Sequence, residues 1–125
     1  MRRLNERGSV AVEFALIVPV FVLLVFGVIE FSNMYNQQLA VTNAARSAVR
    51  TMSIGNSAAA ASAAGIAAAP GLRPAPTAAN FSYSPPVCTS GETMTATVTY
   101  NASFLTGLFG STLTLKGKAA MPCGG

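Results

Sequence analysis

The chain contains no histidine and no tryptophan, and only 4 of its 125 residues are acidic. Without histidine, neither a Ser-His-Asp nor a Cys-His nucleophilic arrangement can be assembled, and no Cys/His metal spacing exists. The carboxylates are Glu6, Glu13, Glu30 and Glu92. Glu92 stands alone beyond Glu30, so no carboxylate pair is available there for acid–base chemistry. The glycines show no phosphate-loop spacing. The sequence therefore points to no enzyme, no cofactor, no metal site and no small-molecule substrate. Charge is scarce at 10% and nets to +4. The cations form no clustered patch, which argues against nucleic acid as a partner.

What the chain does have is a long apolar run. From Val10 to Ile29 the only charged residue is Glu13. At helical rise these 20 residues span ~30 Å, the thickness of a bilayer's hydrocarbon core. Arg2, Arg3 and Arg7 precede the run, offset only by Glu6. The positive-inside rule then keeps the N-terminus cytoplasmic and sends the rest across. A secretory signal would have a shorter apolar core and a small-residue cleavage site; the run is too long, and residues 29–33 offer no Ala-x-Ala. Pro19 predicts a local loosening of the helix near residues 15–19.

No helix stop follows Ile29. Phe31, Met34, Tyr35, Val41, Ala45, Ala48 and Met52 recur at helical spacing, and Arg46 and Arg50 suit the dipole near the C-terminal end. One helix is expected from about Val10 to about Ser53, with Gly55 as its stop. Asn56-Ser57 is positioned to cap a second segment, Ala58–Ala69, of nearly pure alanine. Thin side chains require that helix to lie against the first; a low-complexity linker is the alternative. The prolines between Pro70 and Pro86 mark an extended connection. Phe81 and Tyr83 suggest a short strand, and Met94, Ala96, Val98 and Tyr100 alternate along a clearer one over 93–100. Phe104, Leu105, Leu108 and Phe109 form an apolar loop broken by glycines, ahead of a last strand over 112–120 with Leu113 and Leu115 on one face. The sheet is expected to pack on the helix through Tyr35, Val41 and Val49. Cys88 and Cys123 flank these strands on the outer side of the membrane, a placement that suits a disulfide staple; two free thiols are the alternative. Glu30, at the outer end of the run, reads as a solvated interfacial carboxylate.

The run Arg7-Gly8-Ser9-Val10-Ala11-Val12-Glu13-Phe14-Ala15-Leu16-Ile17-Val18-Pro19, with Gly27-Val28-Ile29-Glu30-Phe31 and Asn43-Ala44-Ala45-Arg46, resembles the TadE-like family of tight-adherence pilus proteins. Gly8 followed by Ser9, with Glu13 fifth counted from Ser9 and then Phe14, is similar to the processing site of type IV prepilins. The resemblance implies an α+β, pilin-like chain: a long N-terminal transmembrane-plus-stalk helix, a short Ala-rich helix and a small antiparallel β-sheet at the C-terminus. It implies a cytoplasmic leader over 1–8, a transmembrane half over 9–30, a periplasmic stalk over 31–54, an Ala-rich helix and Pro-rich linker over 55–79, and a β-rich unit over 80–125. It further implies a single-pass protein of the bacterial inner membrane, cut by the prepilin peptidase between Gly8 and Ser9. Its partners would be the major pilin, a second pseudopilin and the pilus assembly platform, with incorporation in an extracellular pilus allowed. Cleavage would free an ammonium at Ser9 that a staggered neighbour's Glu13 could pair with, fixing register. Two plainer readings remain: Glu13 reaching for the headgroups without a partner, and a signal-anchored envelope protein whose small disulfide-bonded domain binds a ligand or surface.

Overall fold

The computed structural model describes residues 2–124. Met1, the first residue of the expected leader, and Gly125, the last of the β-rich unit, lie outside the described residues. So do the side chains of residues 2–4. Helix α1 runs from Arg2 to Gly55. It therefore begins within the expected leader rather than at Val10, and Pro19 sits inside it without ending it. Its far end departs in detail from the expectation too. Gly55 is the last helical residue, and the turn is made by Asn56, at φ 50°, whose N–H donates to the Met52 carbonyl at 2.9 Å. Asparagine tolerates that left-handed conformation better than most residues. Arg50 stands more than a turn short of the end, and the last turn carries no cation.

Ser57 caps the alanine segment, its hydroxyl accepting the Ala60 N–H at 3.3 Å, and α2 spans Ala58–Ala67. The segment is a helix, not a linker. It folds back on the stalk, where the Ser47 hydroxyl donates to the Ala64 carbonyl at 3.2 Å. Ala44, Ala45, Ala48 and Ala61 are fully buried, so alanine here permits close helix–helix approach. Gly65 shows how close: a Cβ there would collide with the Phe81 ring and lie 3.0 Å from the Ala44 carbonyl oxygen.

The Pro-rich connection carries one short 3-10 turn, Ala78–Asn80. Three strands follow: β1 (Phe81–Ser84), β2 (Thr93–Ser103) and β3 (Thr112–Pro122). They form an antiparallel sheet of order β1-β2-β3, with β2 central. Phe81 pairs with Val98, and Tyr100 with Leu115. The alternation along β2 emerges as expected: Met94, Ala96, Val98, Tyr100 and Ala102 are buried against the helices, with the intervening residues outward. They meet Val41, Val49 and Met52 of α1 in one core that also takes in Leu72 and Phe81. Leu115 is buried, but Leu113, on the same face, is 44% exposed. Tyr83 ties the sheet edge to α2 through a 2.9 Å hydrogen bond with Ser62, and burial raises its phenol above the usual tyrosine range.

One packing expectation fails. Tyr35 does not meet the sheet; it is 57% exposed, and Phe31 is exposed beside it. The two rings stack on each other, 6.4 Å between centroids.

Candidate functional site

Gly8, Ser9, Glu13 and Phe14 occupy one exposed stretch of α1. Ser9 and Glu13 are four residues apart, hence on the same face and about 6 Å apart along the axis. Phe14 beside them is 68% exposed. A Cβ added at Gly8 would meet nothing within 4 Å. Packing among the described residues therefore gives no reason for a glycine there, although glycine inside a helix costs about 1 kcal/mol relative to alanine. The whole run beyond it is bare. The apolar window of α1 is 0% buried by the rest of the chain, and residues from Val10 to Ile29 are exposed except at Gly27, which is half-buried. Apolar surface on this scale is not left to water in a stable fold, and α1 is long and apolar enough to cross a membrane.

At the end of the bare run the structure corrects the sequence reading. Glu30 is not solvated; it is 2% exposed. Its Oε2 accepts the Leu105 N–H at 2.9 Å. Its Oε1 accepts the Thr106 N–H at 2.6 Å and the Thr106 hydroxyl at 2.5 Å. Three donors around one carboxylate are what make its burial tolerable. The partners lie 75 and 76 residues away in sequence, and two of the three are backbone amides, which carry no residue-type signal. The only hint was the apolar character of the 104–109 loop, too oily for a free solvent turn.

The opposite end of the sheet is fixed differently. Cys88 and Cys123 form a disulfide with Cα atoms 5.6 Å apart. The Cys88 N–H donates to the Asn56 side chain at 2.8 Å, and the Gly124 N–H to the Ser53 carbonyl at 3.1 Å. The staple is thus tied to the helix terminus.

Together these elements define an α+β protein whose long helix is bare and apolar over one half and packed against the sheet and α2 over the other. The family model for TadE-like protein matches residues 8–50. Over that segment, about a third of the chain, the sequence is similar to TadE-like proteins. No curated protein and no solved structure matches the chain. The matched segment begins at Gly8 and covers Ser9, Glu13, Phe14 and Glu30; the sheet and its disulfide fall outside it.

Proposed function

We propose that this chain is a minor pilin or pseudopilin that helps initiate or build a tight-adherence pilus. It sits in the bacterial inner membrane as a single-pass protein, N-terminus cytoplasmic and sheet periplasmic, and the prepilin peptidase cuts it between Gly8 and Ser9. Its further partners are the major pilin, a second pseudopilin and the assembly platform. The observation that carries this reading is a glycine that packing does not require, placed just ahead of Ser9 and Glu13 at the head of a bare apolar helix. The proposed bond lies about two turns into the helix, where glycine makes the helical backbone about 1 kcal/mol easier to unwind than alanine would. Local unwinding to meet a peptidase is therefore inexpensive.

Glu13 then has a partner in the assembled state. For a neighbour's Ser9 ammonium to reach it, two parallel helices need an axial offset on the order of 6 Å. An unpaired carboxylate in hydrocarbon costs about 3 kcal/mol or more, so the pair selects that offset over others.

Intact-mass analysis of chain purified from membranes containing the prepilin peptidase tests the reading. The expected result is loss of residues 1–8 as one piece. A mass retaining those residues would remove the pilin reading and leave the signal-anchored envelope protein with a disulfide-bonded binding domain.

A further inference from the structure

The tip of the β2–β3 hairpin, residues 104–111, lies against the outer end of the apolar run. Two contacts set its height. Glu30 holds the Leu105 and Thr106 amides. Phe109 rests over Gly27, where an added Cβ would be 3.8 Å from its ring. Gly27 is three residues back from Glu30 into the run, about 4.5 Å along the axis, so Phe109 lies level with bare apolar helix. The tip turns Leu105, Leu108 and Phe109 outward, 64%, 58% and 53% exposed. No charged residue occurs between Glu92 and Lys116. Within a turn of Gly27, Leu24 and Val28 of α1 are themselves exposed. One turn further along the helix, the stacked Phe31–Tyr35 pair stands exposed, where aromatic belts form at a membrane interface.

The geometry points to the hairpin tip as a second membrane contact: Leu105, Leu108 and Phe109 enter the outer leaflet of the lipid bilayer beside α1, held at that depth by Glu30. This rests on α1 spanning the membrane. Lipid is the fitting occupant because these exposed, uncharged side chains lie level with the bare apolar run. Glu30 is a positioning residue. Its three donors satisfy the carboxylate and the loop amides together, so neither needs water at the hydrocarbon boundary.

The test uses the full chain in phosphatidylcholine–phosphatidylglycerol vesicles. Leu108→Cys is labelled with a polarity-sensitive fluorophore, Cys88 and Cys123 being held in their disulfide. Val20→Cys, within the run, and Ser90→Cys, in the turn at the other end of the sheet, serve as references. The label at 108 should be quenched by nitroxide-bearing lipid and several-fold less accessible to iodide than the label at 90. A label at 108 that behaves like the one at 90, while 20 is quenched by lipid, overturns the hairpin contact and leaves the spanning helix intact. Failure of lipid to quench at 20 removes the spanning reading itself, and the contact with it. Shielding at 108 from both iodide and lipid places a protein there and also overturns the proposal. Glu30→Gln should raise iodide access at 108 several-fold; unchanged access overturns the role given to Glu30.

Discussion

At Gly117 the sheet comes so near the stalk that no side chain fits. A Cβ there would lie 2.6 Å from the Val41 carbonyl oxygen and 2.9 Å from Val41 Cγ1. The obstacle is backbone, which cannot rotate away as a flexible side chain can. Gly117→Ala must push β3 off α1, an overpacking change that costs about 1–3 kcal/mol. Gly71 is the matched control: a Cβ there meets nothing, so Gly71→Ala should stay within about 0.5 kcal/mol. Thermal unfolding of both variants in detergent checks this, with a shift of roughly 4–8 °C per kcal/mol for a domain of this size. Equal melting temperatures would mean the sheet tolerates displacement from the helix. Neither Gly65 nor Gly117 advertised its role in the sequence, where Gly65 reads only as a flaw in a helix. Close approach is a property of two segments brought together, and neither segment carries it alone. Glu30 makes the same point with a carboxylate. Phe31 and Tyr35 make it with periodicity. Each is 18 residues, five full turns, from a covered residue, Val49 and Ser53 respectively. Ser53 is covered because the end of β3 reaches it, its hydroxyl 3.2 Å from Met121 Sδ. The repeat finds the sector of the helix, and the height of the sheet decides whether that sector is covered.

Lengths explain why these elements fit. The strands β2 and β3 have 11 residues each, about 36 Å of extended chain. From Glu30 to Ser53 the helix rises about 35 Å. The hairpin therefore lies along α1 from Glu30 to Ser53. It is held at the base by Glu30 and midway by Gln38, whose side-chain amide donates to the Lys116 carbonyl at 2.8 Å. At the top the disulfide and Asn56 hold it. Strand β2 was legible because one buried face alternates cleanly with a threonine-rich outer face, a pattern helices cannot imitate. Its position along the helix was not, since it depends on backbone hydrogen bonds that any sequence could make. The staple closes a separation of 35 residues, for which the chain-entropy relation gives about 4 kcal/mol. Cys88→Ser with Cys123→Ser should lower the melting temperature of the full chain accordingly. In the unaltered protein, alkylation should label both thiols only after reductant is added. Labelling without reductant, or an unchanged melting temperature in the double variant, would show that the hydrogen bonds around Asn56 and Ser53 hold this end unaided.

Across the whole molecule one helix serves two environments. Beyond Glu30 it is half of a packed core; before Glu30 it is bare, and the bare half needs either lipid or neighbouring helices. On the proposed function the chain exchanges the first for the second, and Glu13 is placed to distinguish the two. In lipid, with the proposed orientation, the carboxylate stands near the cytoplasmic end of the run and can reach headgroups. In a helical bundle it has apolar neighbours, and removing one member of a buried pair costs about 3–5 kcal/mol because the other charge is left uncompensated. Glu13→Ala should accordingly still lose residues 1–8, since the bond cut lies more than a turn away. The cut protein should be incorporated at least on the order of a hundredfold less well, as that penalty implies. The measurements are intact mass for cleavage and pilus counts by electron microscopy for assembly, made on the same cells. Fibres at wild-type number from correctly cut Glu13→Ala protein would deny the carboxylate its pairing role, and attraction to the headgroups alone would then account for its place in the run.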